Sequence, residues 1–128
     1  MNYPPQSNKG RISFKFERLT VWQKSMKWGE EIFTISKKFP KTEMYNLSSQ
    51  ILRAPDSVAL NIAEGSILQS DKEFIRFLGY SIRSIAEIVT CLHKAKARDY
   101  INEKEFQANY KNAFDLMNML IAFQKRLK

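Results

Sequence analysis

Apolar residues recur along the chain at alternating steps of three and four positions, the spacing that places side chains on one face of a helix. Four stretches carry this pattern, and turn-forming residues are scarce, with 4 glycines and 4 prolines in the whole chain. The predicted inward-facing positions are Val21, Ser25, Trp28, Ile32, Ile35 and Phe39; Leu47, Ile51, Ala54, Val58 and Ile62; Phe74, Leu78, Ser81, Ile85, Ile88, Leu92 and Ala95; and Phe106, Tyr110, Ala113, Met117, Leu120 and Gln124. The pattern predicts four amphipathic helices.

Capping signals mark where these helices begin. In a capping box, a side chain accepts a hydrogen bond from the helix start, and a Glu or Gln three residues later bonds back. This spacing is present at Thr20 and Gln23, at Ser70 and Glu73, and at Asn102 and Glu105. Ile101 and Phe106 stand at the spacing of a hydrophobic staple, so the start of the fourth helix is marked twice.

The second helix is predicted from Thr42 to Gly65, with Pro55 inside it. Proline lacks a backbone donor and its ring clashes with the preceding turn, so a kink or short break is expected near residues 53–57. Gly65 is expected to end this helix in the left-handed conformation that glycine adopts without strain. Pro40 is expected to end the first helix.

Four such helices joined by short loops predict an all-α fold, an antiparallel up-down-up-down four-helix bundle. We place the bundle at residues 14–128, after a flexible basic N-terminal arm at residues 1–13 that has almost no apolar content. A length of 128 residues fits one domain with a buried core.

Composition indicates the cellular setting. Cys91 is the only cysteine, which excludes an intrachain disulfide and favours a reducing compartment. The chain has no leader-like start and no apolar run of about 20 residues, so we expect a cytoplasmic protein that does not enter a membrane. The formal net charge of +8 predicts attraction to polyanions.

Each helix carries more apolar residues than one stripe requires. One interpretation is a wide core-facing sector, as bundle helices often bury three positions per heptad. The other is a subunit interface, because large exposed apolar patches are unusual on monomers. The residues predicted for such an oligomer interface are Trp22, Met26, Phe33, Ile75, Phe77 and Ile82.

A polar stripe follows the second helix at steps of four, four and three residues: Arg53, Ser57, Asn61 and Glu64. This spacing places the four side chains on one face. In the structural interpretation, Asn61 and Glu64 form hydrogen bonds with neighbouring helices or with the loop after Gly65. In the other, the stripe belongs to a ligand or nucleic-acid site near the kink expected at Pro55.

Charge concentrates at the two ends of the predicted bundle. Pole A combines the end of helix 1, the start of helix 2, the end of helix 3 and the start of helix 4. It holds seven cations against four acids, a net charge of +3. The cations are Lys37, Lys38, Lys41, Lys94, Lys96, Arg98 and Lys104. Pole B and the arm hold eight cations, Lys125 and Arg126 among them, against four acids, a net of +4. Cations at helix ends complement the backbone dipole, but they also predict salt-sensitive binding to the backbone of RNA or DNA.

The residues that a reaction would require are missing. Cys91 and His93 are the only cysteine and histidine, and two positions apart on a helix they point in nearly opposite directions. No phosphate-binding glycine loop or nucleophile elbow is present. We therefore predict a protein without enzymatic activity, catalytic residues, metal or cofactor.

Several short motifs fall in one order with a spacing that resembles a known family. They are Phe16, Leu19, Val21-Trp22-Gln23, Tyr45-Asn46-Leu47, Gln50, Arg53-Ala54, Ser57, Asn61-Ile62-Ala63-Glu64-Gly65, Glu73-Phe74 and Phe77-Leu78. Over about residues 14–125 the chain resembles the bacterial four-helix bundles encoded by intervening sequences within 23S ribosomal RNA genes. One departure is the proline, which relatives commonly place just before the Asn-Ile-Ala-Glu-Gly run and which stands here at Pro55.

The resemblance implies a ring-shaped homo-oligomer, typically a pentamer, and no enzymatic activity. It also implies similarity in fold to the accessory proteins of diversity-generating retroelements, which bind nucleic acid and a reverse transcriptase. We therefore favour a nucleic-acid-associated oligomer. The alternatives are a protein-interaction adaptor and a self-assembling structural protein without a nucleic-acid ligand.

Overall fold

The computed structural model describes residues 12–67 and 70–128, so the predicted arm at residues 1–13 lies almost wholly outside the described part. Over the described residues the chain is helical and contains no strand. The helices are α1 (Thr20–Ser36), α2 (Leu47–Ser66), α3 (Asp71–Ala97) and α4 (Glu103–Leu127), with 3-10 turns at Lys15–Arg18 and Lys41–Glu43. None of these helices combines the length and the apolarity that crossing a bilayer requires.

Each helix packs against the next one in the chain, and α4 closes the bundle against α1. Across α2 and α3, Ser57 meets Ser84 and Gln50 meets Cys91, so residue numbers fall on one helix as they rise on the other. The other neighbouring pairs show the same antiparallel relation. The α2–α3 pair packs most extensively and the α1–α4 pair least. The predicted antiparallel four-helix bundle is confirmed.

The core follows the predicted stripes of the first three helices, where every position predicted to face inward is buried. The prediction is wrong for part of α4. Tyr110 is 41% exposed, and Met117 and Gln124 are only partly buried, whereas Asn109 and Leu116 are buried. The buried face of α4 is therefore rotated, and it includes a polar residue that the pattern assigned to the surface.

The start of α1 differs from the predicted capping box. The chain enters through the first 3-10 turn, so Thr20 is already helical, and Leu19 occupies the cap position in an extended conformation. The Gln23 side-chain amide donates to the Glu17 carbonyl, 2.8 Å away, instead of bonding back to the cap. At the other end, α1 stops at Ser36, before Pro40, because a residue that precedes proline disfavours the helical conformation.

The predictions for α2 are wrong in three respects. The helix begins at Leu47 rather than Thr42, because a separate 3-10 turn follows Pro40. It continues without a break past Pro55, whose buried ring lies against Gly29 of α1. It also continues through Gly65, which lies inside the helix and not in a left-handed terminal position.

Gly65 serves close packing. A Cβ at this position would lie 2.8 Å from Phe74 Cδ1 and 2.8 Å from Phe77 Cβ, both on α3. Glycine therefore lets the end of α2 approach the start of α3 more closely than any other residue allows.

The capping predictions for α3 and α4 hold to different degrees. Ser70 accepts from the Glu73 N–H as predicted, but the Glu73 carboxylate pairs with Arg76 rather than bonding back. At α4 the box of Asn102 and Glu105 forms in both directions, at 2.8 and 3.0 Å.

The end of α3 carries a feature that the sequence analysis missed. Asp99 follows the helix with φ of 60°, a left-handed conformation that is uncommon outside glycine. The Asp99 N–H donates to the Lys96 carbonyl and the Tyr100 N–H to the Ala95 carbonyl, which is the pattern of a Schellman motif. This turn directs Tyr100 back toward pole A.

Candidate nucleic-acid interface

The helix ends bring the predicted cations of pole A together, but ion pairs occupy three of them. Lys38 pairs with Glu105, Lys96 with Glu103 at 2.5 Å, and Arg98 with Glu43 at 2.9 Å. Each pair joins a helix end to the start of another segment. These three pairs therefore link helix ends at pole A and leave fewer unpaired cations there than the summed charge of the sequence indicated.

Glu43 is the centre of this pole. Its side chain is 10% exposed, yet its Oε2 accepts from the Tyr100 hydroxyl at 2.7 Å and from Arg98 Nη1 at 2.9 Å. Its Oε1 accepts from the Asn46 side-chain amide at 3.1 Å. The Tyr100 hydrogen bond, with help from Arg98 and Asn46, lowers the pKa of the Glu43 carboxyl against the opposing effect of burial.

The depressed pKa of Glu43 predicts a loss of stability in acid. A carboxyl with a lowered folded-state pKa stabilises the fold above its ordinary value of 4.5, and this contribution is lost as the pH falls through the folded-state value. The pKa values of Glu103 and Glu105 are lowered as well, mainly through hydrogen bonds with Lys96 and Lys38 respectively. We expect the thermal midpoint, followed by circular dichroism, to fall steeply below about pH 4.5.

Glu43→Gln is expected to lower the midpoint at neutral pH by roughly 5 °C and to weaken its dependence on acid pH. Glu64→Gln is the matched control, because Glu64 is exposed and bonds to no other described residue. If the thermal midpoint of Glu43→Gln depended on acid pH as that of the unmodified protein does, the loss of stability in acid would not come from Glu43.

The remaining cations of pole A face solvent. Lys37 lies 4.8 Å from the centroid of the Phe33 ring, and Lys41, Lys94 and Lys104 are exposed without an ion pair to a described carboxylate. The loop between the 3-10 turn and α2 adds Tyr45, which is 93% exposed. Pole A therefore presents four cations and one aromatic ring around a core of ion pairs.

Pole B is less organised. The Arg126 guanidinium lies 5.4 Å from the Phe123 ring centroid, and Lys125 is exposed. Arg18 donates to the Ser13 hydroxyl at 2.7 Å. Arg18 and Arg126 flank a groove of about 420 Å³ between α1 and α4, on the side where the bundle packs least.

The polar stripe of α2 divides into a network and two exposed charges. The Asn61 side-chain amide donates to the Ser57 carbonyl at 2.8 Å and to its hydroxyl at 3.1 Å, and that hydroxyl accepts from Ser84 of α3 at 2.9 Å. Arg53 and Glu64 lie on the surface. Ser57 thus joins α2 to α3, whereas the side chain of Asn61 bonds within α2. Among the described residues, neither Asn61 nor Glu64 makes the side-chain hydrogen bond to another helix that the structural interpretation predicts.

The six residues predicted for an oligomer interface do not form one surface. Trp22, Met26 and Phe33 lie on the outer side of α1 and α2, and Trp22 and Met26 border a groove of about 360 Å³ there. Phe77 instead faces the α2–α3 side, where it contacts Gly65. Ile75 and Ile82 are partly buried on α3, and the Ile75 carbonyl accepts from Gln124 of α4.

The structure adds a second apolar side that the sequence analysis did not define. A groove of about 320 Å³ between α3 and α4 is bordered by Val89, Tyr110, Phe114 and Met117, and Phe114 is 52% exposed. Because α1 and α2 form the opposite side of the bundle, the two apolar sides face away from each other.

The groups considered for catalysis lie apart. Cys91 is buried, its Sγ lies 3.8 Å from the Gln50 Oε1, and burial raises the pKa of its thiol. His93 is exposed and its ring packs edge-on against Phe106 at 4.9 Å. Among residues 12–67 and 70–128, no group of three or more His, Cys, Asp or Glu side chains is arranged to hold a metal ion.

Comparison with known families matches the 23S rRNA-intervening sequence protein model over residues 17–122. The chain belongs to the 23S rRNA-intervening sequence protein family. The match covers the body of the bundle from the first 3-10 turn to the last turns of α4, so it confirms the resemblance found in the sequence motifs.

The fold is also that of a solved structure. It is a protein of unknown function from the S23 ribosomal protein family of Bacteroides thetaiotaomicron, determined at 1.70 Å. It superposes with a TM-score of 0.76 at 24% identity over 83% of this chain and 99% of the relative. No curated protein matches the chain.

Proposed function

We propose that this protein is a non-enzymatic, homo-oligomeric helical bundle whose basic poles bind the phosphate backbone of RNA or DNA. The observation that carries the proposal is the solvent-facing set of pole A lysines, Lys37, Lys41, Lys94 and Lys104. None of them forms an ion pair with a described carboxylate, whereas Glu43, Glu103 and Glu105 pair with other cations of the pole. Each contact between such a lysine and a phosphate releases condensed counterions, so affinity arises without sequence readout.

Oligomerisation strengthens the proposal. One pole offers few contacts, but a symmetric assembly repeats the pole around its axis, and the contacts of all copies act together on one strand. Two apolar sides that face away from each other suit a head-to-tail contact between copies, in which the side of one subunit meets the different side of the next. Such contacts close into a ring when the rotation between copies allows it, in accord with the pentamer implied by the resemblance.

The test is a charge reversal confined to lysines without ion pairs. We expect Lys41→Glu with Lys94→Glu to weaken RNA binding at least tenfold in low salt and to reduce the salt dependence of the affinity. Lys38, Lys96 and Arg98 are left unchanged because their substitution would also break ion pairs between helix ends. Fluorescence anisotropy with a labelled structured RNA, repeated over a range of salt concentrations, measures both quantities.

Lys24→Glu with Lys27→Glu is the matched control. It makes the same charge change on exposed α1 residues that line the α1–α4 side rather than a pole, and a loss of less than threefold is expected. Equal losses in the two variants, or no binding by the unmodified protein at micromolar concentration, would refute the proposal.

The exposed apolar sides favour a second candidate. Phe33, Leu52 and Leu60 are 46%, 38% and 57% exposed on the α1–α2 side, which suits an adaptor or a self-assembling structural protein without a nucleic-acid ligand. An assembly that persists at high salt, from a protein that binds no RNA or DNA, would favour this candidate.

A further inference from the structure

A row of arginine and aromatic side chains follows the outer side of α3 between the two poles. Arg76, Tyr80 and Arg83 stand at steps of four and three residues, so they share one face of the helix. The Arg83 guanidinium lies 5.5 Å and that of Arg76 5.9 Å from the centroid of the Tyr80 ring. Phe77 extends the row, with its ring 5.4 Å from that of Tyr80 and 5.6 Å from the Arg76 guanidinium.

The polar stripe of α2 lies alongside this row. The Ser57–Ser84 and Ser81–Val58 hydrogen bonds fix the antiparallel register, which places Asn61 at the level of Tyr80 and Arg53 near the level of Ile88. The α2–α3 side therefore has a floor of hydroxyl and amide groups and a rim of guanidinium and aromatic groups.

The rim arginines are available to an anion. No described carboxylate forms an ion pair with Arg83, which is exposed. Arg76 pairs with Glu73, but both side chains are largely exposed, at 55% and 40%, and surface pairs of this kind contribute little. A phosphate group can therefore replace Glu73 as the partner of Arg76 at small cost.

We infer that the α2–α3 side, through Arg76, Tyr80 and Arg83, is a contact site for a single-stranded nucleic acid. The inference rests on the proposed function and specifies the form of the ligand and the path it follows. Guanidinium groups held against an aromatic ring bind phosphates and also offer flat surfaces on which unpaired bases stack. A duplex keeps its bases inside the helix and gains only the phosphate contacts.

The position of the row links it to the basic poles. It lies on the first half of α3, nearer pole B, and Arg53 of α2 and Lys94 of α3 lie beyond it toward pole A, with the exposed Glu87 between Arg83 and Lys94 along α3. A strand that meets the lysines of pole A thus continues along the α2–α3 side without crossing an apolar face.

The test compares neutralised arginines with neutralised lysines elsewhere. Arg76→Gln with Arg83→Gln is expected to weaken binding of a labelled unstructured 15-mer about tenfold and to reduce its salt slope by about 1.4, the value for two phosphates of a single strand. Lys24→Gln with Lys27→Gln removes the same charge from the α1–α4 side and is expected to change the affinity less than twofold. An RNA and a DNA 15-mer of one sequence identify which sugar is preferred, and a duplex of that sequence tests the requirement for unpaired bases.

Tyr80 separates stacking from charge. Tyr80→Phe keeps the ring and is expected to bind the 15-mer as the unmodified protein does, whereas Tyr80→Leu is expected to bind it at least fivefold more weakly. Circular dichroism of each variant establishes that the helices are intact. If Tyr80→Leu unfolds, the variant with Arg76→Gln and Arg83→Gln decides whether the inference holds.

The outcomes distinguish the two proposals. If the unmodified protein binds no oligonucleotide, the proposed function and this inference both fall. If it binds, two results overturn this inference and leave the pole proposal standing. The first is that the two arginine substitutions weaken binding no more than the lysine control does, and the second is that they weaken binding of the duplex as much as binding of the single strand.

Discussion

Gly65→Ala is expected to lower the free energy of unfolding by about 1–3 kcal/mol, as for other substitutions that overfill a packed interface. The added Cβ would stand 2.8 Å from Phe74 Cδ1 and from Phe77 Cβ. The Phe74 ring is held edge-on against Phe123 of α4 at 5.2 Å, and the Phe77 Cβ is fixed by its backbone. Neither neighbour can withdraw alone, so α2 and α3 must separate at the contact that packs most extensively.

Two other helical glycines provide controls for Gly65. A Cβ at Gly79 would lie 3.6 Å from the Gln124 side-chain amide and one at Gly29 would lie 3.6 Å from the Pro55 Cβ, both ordinary contact distances. Gly79→Ala is expected to stabilise the protein by about 0.5–1 kcal/mol, since alanine loses less backbone entropy in a helix. Urea denaturation of the variants measures the difference, and a stabilised Gly65→Ala variant would show that the close approach is not what requires glycine.

The second large effect is expected at the α1–α4 contact, for Asn109→Ala. Asn109 is 6% exposed, and its side-chain oxygen accepts from Trp28 Nε1 of α1 at 3.1 Å while its amide donates to the Glu105 carbonyl at 2.8 Å. Alanine leaves the buried indole N–H without a partner, at a cost of about 2 kcal/mol. Because α1 and α4 contact each other least, few other interactions compensate.

A double-mutant cycle isolates this interaction. Trp28→Phe removes the indole donor, and combining it with Asn109→Ala is expected to cost at least about 0.5 kcal/mol less than the sum of the two single changes. Asn112→Ala is the control, because Asn112 is exposed and bonds to Glu31 at 3.3 Å, and a change within about 0.5 kcal/mol is expected. Strict additivity for Trp28 and Asn109 would mean that the hydrogen bond does not stabilise the fold.

The fold was predictable where a local pattern determines the structure. The stripes of α1, α2 and α3 repeat one apolar spacing, and burial follows it because each helix has a single face that can meet the others. Asn102 and Glu105 form their box because both partners lie within one helical turn. Thr20 and Gln23 have the same spacing, yet a preceding 3-10 turn moves the cap to Leu19 and redirects the amide.

The predictions from sequence are wrong where the residue that a side chain contacts is distant along the chain. Asn109 has the polarity of a surface residue, and only Trp28, 81 positions away, makes its burial favourable. Gly65 resembled a helix terminator, but its neighbours on α3 explain it better. Pro55 was expected to interrupt α2, whereas its ring is buried against α1 in an unbroken helix.

The candidate interface was likewise predictable only in part. Helix order and direction sufficed to predict that the cations at helix ends would gather at pole A. Counting charge did not reveal that Glu43, Glu103 and Glu105 would engage Arg98, Lys96 and Lys38, because pairing depends on side-chain geometry. The Arg76–Tyr80–Arg83 row was missed because its charge is partly cancelled by nearby acids in a sum over the sequence.

The buried thiol of Cys91 has a practical consequence for studying the molecule. Alkylating and dye reagents react with thiolates, and a shielded thiol with a raised pKa supplies few of them at neutral pH. A cysteine introduced at an exposed position such as Lys24 would therefore take up a maleimide probe selectively, without removal of the natural cysteine. Energy transfer between such probes on different copies would then report subunit exchange.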